Sequence, residues 1–227
     1  MPFFDPTYIL VIIGAIIVSI ASSNVNSTFK KYAQDYSVLH LTAAEAARKI
    51  LDSNGLNHIR IERVSGELTD HYDPRADVIR LSDSTFSSTS VAAIGVAAHE
   101  AGHAIQHANN YIPIKMRNVL IPVANIGSTL SFPLLLIGII FSFPFLINLG
   151  IYLFAGVLLF QIVTLPVELN ASNRAIVAIE NGGLLNAEET KKARKVLNAA
   201  AMTYVAAVGA TALQLLRLLL LSRNRRD

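Results

Sequence analysis

The sequence of 227 residues contains no cysteine, which excludes disulfides, thiolate metal sites and cysteine nucleophiles. Charge is scarce as well. Only 15% of residues are Asp, Glu, Lys or Arg, where a soluble domain carries about 25%. With 52% hydrophobic residues and a mean hydropathy of +0.46, either the core is unusually large or lipid covers part of the surface. The net charge of +3 is too small and too dispersed for a nucleic-acid surface. There is no internal repeat and no low-complexity tail. The opening MPFFDPT has no Lys or Arg, which argues against a cleavable signal peptide and for a retained anchor.

Four apolar runs are long enough to suggest membrane spans: Tyr8–Ser22 (extended by Phe3 and Phe4), Val119–Ile140, Phe145–Leu165 and Ala199–Leu221. The uncharged FSFPFLINLG joins the middle two into a helical hairpin. Arg217, the one charge of the last run, lies near enough to its end to snorkel. The chain thus divides into an anchor (1–23), a first polar region (24–118), the hairpin (119–165), a second polar region (166–198) and a final span with a basic tail (199–227). Lys30, Lys31, Lys115, Arg117 and Arg174 flank the spans on the polar-region side. The positive-inside rule therefore puts both polar regions in the cytoplasm and the N-terminus outside. With four spans the basic SRNRRD tail falls outside, against that rule. The run Lys191, Lys192, Arg194, Lys195 reads as a solvated face towards the inner leaflet.

In the first polar region, Thr42 and Glu45 form a capping box ahead of an amphipathic helix, and Gly55 stands at its end. HIRIERV, ELTDHY and DVIRLS alternate as strands and predict a small antiparallel sheet. A Ser/Thr-rich stretch then leads into a helix from Val91 to about Asn109. In the second region one helix follows Leu165-Pro166, and another starts at Asn186, with Glu189 as its box partner.

The stretch VAAHEAGHAIQHANN holds three of the six histidines. His99-Glu100-Ala101-Gly102-His103 has the form H-E-x-x-H. Residues four apart on a helix differ by about 40° in direction and about 6 Å in rise. His99 and His103 can therefore converge on one zinc ion, while Glu100 stands beside it as a base. His107 lies about 12 Å along the axis from His99. With no glycine to break the helix first, it is not the third ligand. A carboxylate from a later helix is expected instead. Glu168 is the best placed, directly after the third span; its rivals are Glu180, Glu188 and Glu189, which read as helix-end and capping residues. His71 or Tyr72 is a candidate to stabilise an oxyanion, against a plainer reading as a turn with a packed aromatic. His40 and His58 read as residues without metal.

On HYDPR, VIRLS, AAHEAGHAIQHA, the hydrophobic hairpin and LPVELNAS, the chain closely resembles the bacterial neutral zinc metallopeptidase family typified by YugP. More distantly it is similar to the HtpX-type membrane peptidases. That resemblance implies an α+β fold in which a zincin-like domain, a small antiparallel sheet plus the active-site helix, is combined with several transmembrane helices. It implies Glu168 as the third zinc ligand and Ala76–Ser82 as an edge strand that holds an extended substrate peptide. HtpX-like enzymes carry an aspartate four residues after that glutamate, where this chain has Ser172. Asn170 stands where an acidic residue is expected among relatives.

The function expected is that of a membrane-embedded zinc endopeptidase, with Zn2+ on His99, His103 and Glu168 and with Glu100 as the catalytic base. Its expected partners are a protein or peptide substrate, the lipid bilayer, and other chains in a homo- or hetero-oligomer. The alternative is a catalytically silent zinc-binding membrane scaffold. A metal transporter fits less well, because the histidine helix lacks a lipid-length apolar sequence.

Overall fold

The computed structural model describes residues 5–223. Phe3, Phe4 and the residues after Arg223 lie outside them. The elements run α1 (Tyr8–Tyr32), α2 (Ala43–Ser53), β1 (Arg60–Val64), β2 (His71–Asp73), β3 (Val78–Ser82), α3 (Val91–Ala108), α4 (Ile112–Ile140), α5 (Pro144–Asn181) and α6 (Ala187–Arg223). Helices α1, α4, α5 and α6 are each long and apolar enough to cross a membrane.

The chain forms two compact units. One comprises residues 1–22, 115–166 and 202–227, the other residues 23–114 and 167–201. In the first, most large apolar side chains face outward: Ile16, Phe132, Leu136 and Tyr152 are all exposed, as suits a surface solvated by lipid tails. Close helix contacts rest on small residues. A Cβ on Gly127 would come within 2.6 Å of the Leu153 carbonyl oxygen, so α4 and α5 approach at a point where only glycine fits.

The second unit is an α+β core. Thr42 caps α2 through the Glu45 amide, and the Glu45 side chain returns the bond. At the far end Gly55, at φ +73°, lets the Leu56 amide reach the Leu51 carbonyl and the Gly55 amide reach that of Asp52. This is a Schellman ending, and its two leucines are buried in the core. Ile50 and Leu51 of α2, Ile79 and Leu81 of β3, and Ile94, Ala97, Ala98 and Ala101 of α3 pack with Ala175, Ile176 and Ile179 of α5. Burying such a Leu or Ile side chain contributes about 1.5–3 kcal/mol each.

Three expectations need correction. The sheet is mixed, in the order β1-β3-β2, with β1 parallel and β2 antiparallel to β3. β3 is therefore the central strand and not the edge. Its partners occupy both sides, Arg60 to Val64 along one and His71 to Asp73 along the other, so no backbone is left for a peptide to pair with. Its burial agrees, since Val78, Ile79 and Leu81 are all fully buried, whereas β1 is largely open. The open edge nearest α3 belongs to β2. Secondly, Pro166 does not begin a new helix, because α5 runs through it without interruption. Proline forfeits one backbone hydrogen bond and crowds one carbonyl, a loss that the long helical runs on either side sustain. Thirdly, the helix starting after Asn186 and the last span are one rod, α6.

Candidate metal centre

Helix α3 begins at Ser90, whose hydroxyl accepts from the Ala93 amide. Its alanines and glycines make it narrow. Gly102 lets it touch α5: a Cβ there would meet the Ala171 carbonyl oxygen at 2.5 Å. That contact brings α3 side chains one turn apart up to the side chain of Glu168.

His99 Nε2 lies 3.3 Å and His103 Nε2 3.5 Å from Glu168 Oε2. One ligand atom from each of the three residues lies within 4.8 Å of the others. Glu168 is 3% exposed. The opposite ring nitrogens are tied down: His99 Nδ1 is 3.1 Å from Ser172 Oγ and His103 Nδ1 is 3.0 Å from Gln106 Oε1.

Gln106 decides a tautomer. Its amide Nε2 donates to the Val167 carbonyl (2.8 Å) and to Asn170 Oδ1 (3.0 Å), so the atom facing His103 is the acceptor Oε1. His103 must then carry a proton on Nδ1, so the proton it shares with Glu168 is the one on Nε2, the nitrogen a metal would take. Asn170 Oδ1 also accepts from Arg174 Nε at 2.7 Å, so this amide oxygen gathers two donors as a carboxylate oxygen does. Burial of His103 opposes its charged form. The hydrogen bond it donates to Glu168 and the nearby charge of Glu100 outweigh that effect, so its imidazole holds a proton above the usual histidine range.

Glu100 is anchored on the sheet. Its Oε2 accepts from the Tyr72 backbone amide on β2 at 2.9 Å. Among the described residues its Oε1 makes no hydrogen bond. The Tyr72 hydroxyl reaches Asp77 at 3.4 Å; burial, with that carboxylate, pushes its pKa up to about 12. His71 Nδ1 lies 2.8 Å from the Thr69 carbonyl. Neither polar tip of the two oxyanion candidates turns to the metal group. His107 packs edge-on against the Tyr72 ring, with centroids 5.5 Å apart, and is not among the grouped ligands.

The rival carboxylates are engaged elsewhere. Glu180 pairs with Arg194 and Glu188 with Lys191. Glu189 closes the Asn186 capping box and accepts from the Val38 amide at 2.7 Å. Sequence reasoning passed over Gln106, whose one signal was its helical spacing three residues after His103. It also missed the Tyr72 amide, which no side chain announces.

Two converging imidazole nitrogens and a buried carboxylate match the donor set of a three-residue zinc site. The family described as "Putative neutral zinc metallopeptidase" matches residues 7–223. The chain belongs to this family. It is 44% identical over 207 residues, 91% of this chain and 92% of the relative, to "Putative membrane protease YugP" of Bacillus subtilis (strain 168). No solved structure matches the chain. Its kinship and its four long apolar helices make it a membrane protein.

Proposed function

We propose that the protein is a membrane-embedded zinc endopeptidase with a zincin-like catalytic domain, and that His99, His103 and Glu168 hold the metal. The observation that carries this reading is the convergence of the three ligand atoms within 4.8 Å, with Glu100 beside them on α3. Bound zinc supplies Lewis acidity, which acidifies water and polarises a peptide carbonyl. The chain's own groups do the rest. Ser172 and Gln106 orient the two imidazoles, and Tyr72 N–H holds one Glu100 oxygen. The other oxygen takes a proton from the attacking water and delivers it to the leaving amine. Substrate pairs as an extended strand with the edge of β2 not taken by β3, beside the Tyr72 amide that Glu100 already occupies. That binding mode relies on main-chain hydrogen bonds, so sequence selectivity is loose. The basic residues flanking the spans favour a cytoplasmic catalytic domain.

The test is metal analysis and casein cleavage on purified wild type, Glu100→Gln and Glu168→Ala. Wild type is expected to hold one zinc and to cleave. E100Q keeps the zinc and loses at least about a hundredfold in rate, and E168A loses the zinc. Undiminished cleavage by E100Q refutes the mechanism, while a metal-loaded wild type that never cleaves leaves a zinc-binding scaffold.

A further inference from the structure

A cavity of about 500 Å³ opens between the end of α2, α3 and the polar stripe of α5. Its volume lies within the range of ligand sites, about 300–1,000 Å³. Asn54, Asn170, Asn173 and Asn181 line it together with Arg174, and Ile105 contributes apolar wall. No Asp, Glu or Lys is among the lining residues, so one cation sits among amides with no counter-charge.

Arg174 is held from two sides. Its Nε donates to Asn170 Oδ1 at 2.7 Å, and its guanidinium lies over the Tyr111 ring, 5.9 Å from the centroid. Its Nη1 and Nη2 make no hydrogen bond or ion pair among the described residues. A fixed guanidinium with one edge unengaged is complementary to two oxygens in a plane. A single positive charge matches a monoanion. A phosphate dianion, by contrast, calls for a second cation, and the lining contains none.

We propose that this cavity is a carboxylate-binding site anchored by Arg174, and that the Asn170–Gln106 relay connects its occupancy to His103. The ligand class is a small carboxylic acid or the free C-terminus of a peptide, with the asparagine amides serving the groups next to the carboxylate. An anion drawn to the Nη edge reorients the guanidinium, which shifts the donor on Asn170 Oδ1. The same oxygen holds Gln106 Nε2, and Gln106 Oε1 holds His103. The site stands independently of peptide hydrolysis.

The test uses the metal-free full chain in detergent, so that no carboxylate coordinates a metal. Its melting temperature is followed against sodium acetate at constant ionic strength, against inorganic phosphate, and against a short peptide in free-acid and C-amidated forms. A saturable rise is expected with acetate or the free-acid peptide and none with the amide. These two ligands separate a free acid from a chain terminus. Arg174→Gln removes the anchor. Val177→Glu, at an exposed position one turn on, offers Arg174 an internal carboxylate and leaves the core intact. Both are expected to weaken binding about tenfold or more. In cobalt-loaded protein, acetate is expected to alter the visible spectrum in wild type and not in either variant. Acetate no better than chloride, phosphate tighter than acetate, or unchanged binding in both variants overturns the site. A spectral change that persists in both variants overturns the relay.

Discussion

The Cα of Gly102 faces the Ala171 backbone so closely that an added methyl group would lie 2.5 Å from its carbonyl oxygen. Backbone has nowhere to retreat without moving a helix. Gly102→Ala is therefore expected to push α3 from α5 in the very turn that carries His103. Overpacking of this kind costs about 1–3 kcal/mol. The loss should register both as a lower melting temperature and as weaker zinc binding. A G102A protein with wild-type zinc affinity would show that the contact does not set the ligand geometry.

Gln106 gives His103 its hydrogen-bond acceptor while fully buried. Gln106→Leu leaves the Nδ1 proton without a partner. Loss of such an outer contact lowers metal affinity about 10–100-fold. Gln106→Glu keeps an acceptor at the same place and is expected to retain tighter zinc binding than Q106L. Competition with a chromophoric chelator measures both, and equal affinities in the two variants would exclude the orienting role.

Two buried glutamates on the second polar stretch separate cleanly. Glu168→Ala should abolish stoichiometric zinc and leave the fold. Glu189→Ala breaks the capping box and the tie to Val38, at a cost of about 1 kcal/mol in stability. It should leave zinc content unchanged. Thermal melting paired with elemental analysis distinguishes the two, and reversed results would reassign the ligand.

Acid should compete with metal. In the metal-free site His103 retains its proton above the ordinary histidine range, because contact with Glu168 and the charge of Glu100 overcome its burial. The raised value means that zinc displaces a proton already near neutral pH. Affinity then falls as pH falls through that raised pKa. Calorimetry in buffers of differing ionisation heat counts the protons released. Uptake without proton release at about pH 7 contradicts the assignment.

Much of this centre could be read from residues alone, because helical period and donor chemistry are local properties. His99, Glu100 and His103 declare their relative directions within one turn, and Thr42 with Glu45 declares a helix start. Glu168 was a choice among four carboxylates; in the fold it lies beside both imidazoles while other groups engage its rivals. The strand order was not legible. β1 and β3 are five residues each, and no local signal says which side of β3 either neighbour takes. The buried run Val78-Ile79 hinted at a central strand, but the alternation around it suggested a half-open one. Pro166 misled in the opposite way, since its punctuation is weaker than the propensity of the long helix around it. Gln106 resembled an ordinary polar residue near a helix end, and its importance depends on Val167 and Asn170, which lie far away in sequence.

The contact between Gly102 and Ala171 joins two segments that are made at different times. His99 and His103 leave the ribosome well before Glu168, with the whole greasy hairpin still to be translated between them. Until that hairpin has been made, the histidines have no Glu168 to face. The group of three donors is thus among the later parts of the fold to be completed as the chain is made.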